Sequence, residues 1–285
     1  MGVQINSAGT WKNVGQAWVK MAGVWSQVQS MYARQSGTWV DVTPKITLLI
    51  NANTVNYSIK TAALATGWDG VTPVRVEVTV AAGVLVYSND TSIAAMRTDT
   101  GWPAGSKVTI INNGVIVGMG GKGGNGMSGA APQTGYPGGP ALSISVATFL
   151  YNYGTIAGGG GGGAGGAQFT QTVSGGIDGT PTTTTYGGGG GSGGRTGLVN
   201  SLGGAGGSGN YYGYAGYQGT YSAAGIAQVD GQANNSLHPD GGAGGNWGQP
   251  GGNSNVAGGA AGKWVVGLAN LTISANTGSL LGPTA

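Results

Sequence analysis

The sequence predicts a mainly β and irregular fold with almost no α-helix: a Trp-repeat β-module, a small all-β domain, then a packed bundle, or sandwich, of polyglycine-II helices with long loops at one end. Three observations carry this. Gly-x-Trp recurs every 14 residues near the start, a middle stretch alternates apolar and polar side chains, and 64 of the 285 residues are glycine, mostly after residue 117 and in runs that keep a period of three.

Residues 1–42 hold the repeat. Gly9-Thr10-Trp11, Gly23-Val24-Trp25 and Gly37-Thr38-Trp39 are its copies, with Val14, Val28 and Val42 three positions after each Trp and Trp18 and Tyr32 midway between copies. One glycine per unit among aromatic and β-branched residues fits a strand pair with a turn better than a helix. A 14-residue unit is too small to bury its own Trp, so the copies either stack into a closed module or dock on another protein. Docking would use Trp11, Trp18, Trp25, Tyr32 and Trp39.

Residues 43–117 read as a small β-domain acting as a spacer. Val74 to Val80 alternates apolar and polar residues, as a strand with one wet face does. Lys45 to Ile50, Val84 to Tyr87 and Lys107 to Ile111 are further strand candidates, divided by turn signals such as Gly101-Trp102-Pro103.

From residue 118 to 285 glycine sets the grammar. Gly118, Gly121 and Gly124 share one phase of a three-residue period and Gly120, Gly123 and Gly126 a second, leaving Met119, Lys122 and Asn125 on the third. The pattern returns at 158–167, 187–195, 203–209, 241–252 and 258–262. A period of three is that of the polyproline-II helix, which makes no internal hydrogen bonds, so its main-chain groups must find partners outside. With two faces bare of Cβ atoms, neighbouring helices approach closely enough to bond main chain to main chain. The competing reading is a flexible Gly-rich linker, which has no reason to hold phase across six blocks.

Between the blocks lie inserts at 130–140, 168–186 and 210–240, where the acidic residues Asp178, Asp230 and Asp240 and most tyrosines fall. If segments alternate up and down, all three share the end far from the β-domain. Tyr136, Tyr186, Tyr211, Tyr212, Tyr214, Tyr217 and Tyr221 with His238 are the candidate contact residues; tyrosines set among Gly, Ser and Asn have the composition of antibody paratopes. The alternative is a Tyr-rich loop packed back on the bundle.

No catalytic, cofactor-binding or metal-binding residue is expected. There is no cysteine, and the single histidine lacks a positioned nucleophile or second base. The eight carboxylates are scattered, no Gly-rich string sits in a strand-to-helix context, and no Gly-Lys-Ser/Thr follows one. Eleven basic against eight acidic residues form no basic run, so no nucleic-acid partner is expected. No apolar stretch is long enough to span a bilayer, so no membrane insertion is expected, and the N-terminus shows no secretion signal.

The Val-Thr-Ile-Ile-Asn-Asn-Gly stretch at 108–114, the Tyr-Asn-Tyr-Gly-Thr-Ile-Ala-Gly lead into a glycine run at 151–158, and the alternation of glycine blocks with divergent loops resemble the distal adhesins of T-even-like phages and related Gly-rich phage tail proteins. The resemblance covers about 108–285. It implies a sandwich of polyglycine-II helices whose far loops bind a bacterial outer-membrane protein or lipopolysaccharide, on a virion tail-fibre tip assembled in the host cytoplasm. Residues 1–42 depart from the T-even-like pattern and are similar to segments of assorted phage tail proteins; they would attach to a tail-fibre or tail-tip protein. A non-catalytic cap or assembly chaperone of the fibre is the alternative role.

Overall fold

The computed structural model describes residues 4–7, 10–13, 18–21, 23–27, 32–35, 37–41, 45–127, 131–173, 181–202, 214–226 and 240–285. Among the described residues the fold is mainly strand with one short α-helix, as the sequence predicts.

The first 41 residues contain three antiparallel hairpins at 14-residue steps: β1 (Gln4–Ser7) with β2 (Thr10–Asn13), β3 (Trp18–Met21) with β4 (Val24–Gln27), and β5 (Tyr32–Gln35) with β6 (Thr38–Asp41). Trp11, Trp25 and Trp39 take the same register position in each, opposite Asn6, Lys20 and Arg34. Trp18 and Tyr32 start β3 and β5. Gly23 and Gly37 have φ of 84° and 85°, the left-handed conformation that a two-residue hairpin connection requires.

From Lys45 the chain winds through a three-sided parallel β-helix. Its first coil is β7 (Lys45–Ile50), β8 (Thr54–Val55) and β9 (Tyr57–Ser58). The helix α1 (Ile59–Ala65) follows, started by the Ser58 hydroxyl, which accepts from the Thr61 amide, and burying Ile59 and Ala63. The second coil is β10 (Arg75–Val80), β11 (Leu85–Tyr87) and β12 (Met96–Arg97), and the third β13 (Lys107–Asn112), β14 (Val115–Val117) and β15 (Leu142–Ser143). The fourth begins with β16 (Thr148–Asn152) and β17 (Thr155–Ala157). It is then interrupted by a long excursion that includes β18 (Phe169–Val173) and β19 (Thr182–Tyr186), and closes with β20 (Val265–Val266). The last coil is β21 (Leu271–Asn276) and β22 (Ser279–Leu281). Neighbouring coils pair strand on strand, all parallel, in three sheets.

Stacking of like residues fills the interior. In the first sheet register-aligned positions form the rows Ile46-Val76-Val108-Thr148-Leu271, Leu48-Val78-Ile110-Leu150-Ile273 and Ile50-Val80-Asn112-Asn152-Asn276, buried in the middle coils and open at the last, where Ile273 and Asn276 are exposed. In the second, Val86, Ile116, Ile156 and Leu280 stack alike. The third row ends in an asparagine ladder: Asn112 Nδ2 donates to Asn152 Oδ1 at 2.8 Å, and Asn152 Nδ2 to Asn276 Oδ1 at 2.9 Å. Each ladder residue opens an Asn-x-Gly corner, and the glycines superpose so closely that a Cβ at Gly154 would overlap the Gly114 carbonyl, and one at Gly278 the Gly154 carbonyl.

The expected sheet domain ending at residue 117 differs from what is seen. Residues 142–157 and 265–281 complete the same three sheets, because a parallel coil leaves its last strand unpaired until another coil covers it. The glycine-rich stretches 118–141 and 158–264 are excursions from one corner of successive coils, between the second and third sheets.

Candidate functional site

The excursions form a lattice held by main-chain hydrogen bonds. Residues 158–166 run through its middle, and all nine amides donate: 159, 162 and 165 to Gly139, Tyr136 and Gln133; 160, 163 and 166 to Arg195, Ser192 and Gly189; 161 and 164 to Gln249 and Gly252; and Gly158 to Leu281. Their carbonyls are taken with the same three-residue rotation. Gly160, Gly163 and Gly166 accept from Gly121, Gly124 and Met127; Gly158, Gly161 and Ala164 from Gly248, Gly245 and Gly242; Gly159 and Gly162 from Gly262 and Gly259. Six segments thus surround the central one. The geometry explains the glycines: a Cβ at Gly158, Gly160, Gly162, Gly163 or Gly165 would overlap a neighbour's carbonyl oxygen. Ala164, fully buried, marks a place with room for one methyl.

Directions follow from the partners. Segments 118–127 and 158–167 leave the β-helix, while 131–140 and 258–263 return to it. Segments 187–195, 214–219 and 241–247 also run toward the β-helix, and 249–252 away from it. Ten residues at about 3.1 Å each make the lattice roughly 31 Å long. At the near end Gly197 lies against Tyr87 and Gly248 against Leu281 of the β-helix, and the turn 220–224 reaches Trp247 through Tyr221. Trp247 packs on the outer face of the second sheet with Leu85, Val117 and Ala157, its indole N–H donating to the Thr196 carbonyl at 3.1 Å. The Arg195 guanidinium lies 3.8 Å from the Trp247 ring centroid and donates to the Tyr221 carbonyl.

The described residues break off at Met127, Val173, Leu202 and Ile226 and resume at residue 131, residue 181, Tyr214 and Asp240. The hairpin β18–β19 stands at the far end, as does the turn 253–257. There the Ser254 hydroxyl donates to the Asp240 carbonyl and Asn255 Oδ1 accepts from the Ala167 amide.

The expected contact residues separate along this axis. Tyr136 is not in a loop: 131–140 is itself a lattice segment, stepping in threes against 119–125, with the Tyr136 amide donating to Lys122 and its side chain half exposed on the flank. Pro132, Pro137 and Pro140 make 130–140 read as a loop, but their fixed φ suits the extended three-fold conformation equally well. Tyr186 ends β19, its ring 6.4 Å from that of Phe169. Tyr214 and Tyr217 lie on an outer strand of the lattice, their carbonyls accepting from Gly190 and Gly193 and their side chains half exposed. Tyr221 is at the near end against Trp247, at 5.4 Å between centroids, so 214–226 runs down to the β-helix and back instead of staying at the tip. Tyr211, Tyr212 and His238 lie outside the described residues. The near-end cluster of Arg195, Tyr221 and Trp247 had no signal in the sequence, whereas the Asn253-Ser254-Asn255 run could have marked the far turn.

Among the described residues no group of three or more His, Cys, Asp or Glu comes together, and no helix is long and apolar enough to cross a membrane. The arrangement is that of a protein that presents surface on a frame of main-chain hydrogen bonds. The sequence comparison agrees: residues 45–285 match the family model "Phage tail fibre adhesin Gp38", and the chain belongs to that family of virion tail-fibre proteins. The crystal structure of the gp37-gp38 adhesin tip complex of the bacteriophage S16 long tail fiber is similar in fold, with a TM-score of 0.57 and 23% identity over 85% of this chain and 83% of that one. Among curated proteins no sequence matches.

Proposed function

We propose that the chain is the receptor-binding tip of a tail fibre, with residues 1–42 attaching it to the fibre and the far-end loops recognising an outer-membrane protein or lipopolysaccharide on the host. The observation that carries this is the lattice. A polyglycine-II-type bundle in which every central amide is bonded holds its far end rigidly and away from the β-helix, and a preordered loop loses less entropy on binding. In the S16 adhesin tip gp38 is in complex with gp37, which supports a fibre partner for this chain too. The three hairpins, which repeat one register position for Trp11, Trp25 and Trp39, are its natural docking face, with Trp18 and Tyr32 beside them.

The test replaces residues 203–213, which include Tyr211 and Tyr212, by a short Gly-Ser connection. Saturable binding of the purified protein to susceptible bacteria should weaken about 100-fold, as when clustered aromatic anchors are removed, with thermal unfolding unchanged. Wild-type binding by this variant would reject the tip assignment.

A further inference from the structure

Residues 211–219 carry a repeat of their own. Tyr211-Tyr212-Gly213, Tyr214-Ala215-Gly216 and Tyr217-Gln218-Gly219 are three Tyr-x-Gly triplets in a row. The period is that of a polyproline-II turn, so in the described part, from Tyr214 on, each phase of the triplet keeps one face of the strand. Glycine takes the inner face: a Cβ at Gly216 would overlap the Gly191 carbonyl oxygen, and one at Gly219 the Gly194 carbonyl oxygen. Tyrosine takes the outer face, where Tyr214 and Tyr217 are each 50% exposed. The lattice fixes their spacing, because their carbonyls accept from the Gly190 and Gly193 amides, both at 2.8 Å, and the Tyr217 amide donates to the Ser192 hydroxyl at 3.0 Å. Three residues at about 3.1 Å each set the two side chains about 9 Å apart along the strand.

We infer that Tyr214 and Tyr217 form a stacking platform for an extended, uncharged glycan of the host surface, laid along the flank of the lattice. This rests on the reading of the chain as a receptor-binding tip and adds to it a second site, with its ligand class, beside the far-end loops. A half-exposed tyrosine offers ring area with a hydroxyl at its rim, which suits the C–H faces and hydroxyl edges of a sugar. A row with a fixed period fits a ligand with a fixed period, and a polysaccharide presents the same sugar face again at each repeat. Next to Tyr217 the exposed side chains of Asn200 and Gln218 are joined by an amide hydrogen bond of 3.3 Å, which places amide donors and acceptors within reach of sugar hydroxyls. Neither 196–202 nor 214–226 holds a charged residue, and Arg195, at the near end of the row, is engaged over the Trp247 ring and with the Tyr221 carbonyl. An ionic ligand would find no counter-charge along the row, so the glycan is neutral.

The test titrates polysaccharide released from a susceptible strain onto the purified protein, with whole cells in parallel. Wild type should bind the polysaccharide saturably and lose that binding after the polysaccharide is oxidised with periodate. Tyr214→Ala and Tyr217→Ala should each weaken it about 10-fold and together about 100-fold, with thermal unfolding unchanged because both side chains lie on the outer face. Tyr214→Phe and Tyr217→Phe keep the ring and should stay within about threefold of wild type, whereas Tyr214→Leu and Tyr217→Leu should bind as weakly as the alanine variants. Tyr153→Ala, which removes a comparably exposed tyrosine from the β-helix, should bind as wild type does. Wild-type affinity in the double alanine variant overturns the proposal, and so does full affinity in the leucine variants, which reduces the row to a merely apolar contact. Saturable binding to cells but not to polysaccharide, or cell binding that survives periodate but not protease, assigns recognition to a protein; that overturns the proposal and leaves the adhesin reading intact. If wild type binds neither polysaccharide nor cells, the adhesin reading itself fails and the proposal with it.

Discussion

Exchanging one methyl between two positions of the same segment, Gly162→Ala with Ala164→Gly, should collapse the lattice although the composition is unchanged. At residue 162 the added Cβ would overlap the Lys122 carbonyl, while the residue's own amide donates to Tyr136 at 2.9 Å and its carbonyl accepts from Gly259 at 2.7 Å. Relief requires the central segment to move from three neighbours at once. Overpacking and at least one strained buried hydrogen bond together cost on the order of 4 kcal/mol. Ala164→Gly alone removes a methyl from a site that has room for it and should cost about 1 kcal/mol. The measurement is thermal unfolding with limited proteolysis at the glycine segments. If the exchange variant melts like wild type, the segments are not packed as described, and a linker-like region becomes the better account.

The second large effect lies in the β-helix. Asn152→Leu should destabilise the protein by about 3 kcal/mol, a fall in Tm of roughly 6–12 °C for a chain of this size. Asn152 is fully buried and links two others: removing its amide takes the acceptor from Asn112 and the donor from Asn276. Asn112 Nδ2 then keeps only a 3.3 Å bond to the Thr155 carbonyl. The penalty arises from the polar groups left behind, so the triple variant Asn112→Leu, Asn152→Leu and Asn276→Leu should recover part of it. A triple variant worse than the sum of its single changes would show that the ladder contributes through the corner conformation and not through paired amides. Receptor binding should be untouched at temperatures below the melting range, because the ladder lies at a β-helix corner, far from the loops.

Local periodicity was enough to read much of this molecule. The 14-residue Gly-x-Trp units, the strands at Lys45 to Ile50, 75–80 and 107–112, and the glycine period of three are patterns in which each residue's neighbours along the chain carry the information. What the same strands pair with was not legible. Alternation in Val74 to Val80 marks a wet and a dry face but does not distinguish an antiparallel sheet from a coil of a β-helix, since the partner of Val78 is Ile110 in one direction and Leu48 in the other. One unused signal existed: Asn-x-Gly-x followed by an apolar pair occurs at 112, 152 and 276 and marks the stacked corners.

The candidate site divides in the same way. Composition alone placed the tyrosines outside the glycine blocks, but a rule of alternating segments treated 130–140 and 210–240 as loops at one end. In the structure 131–140 is a lattice segment and Tyr221 lies against Trp247 at the opposite end. The sequence by itself determined that the far half would be built from glycine segments with side chains displaced from their contacts, because only glycine lets main chains approach to hydrogen-bonding distance on several sides. Tertiary structure alone decided that these segments leave one corner of a β-helix and which of the described segments ends up at which end. Those outcomes depend on pairing between residues up to 127 positions apart, and no local pattern encodes the partner.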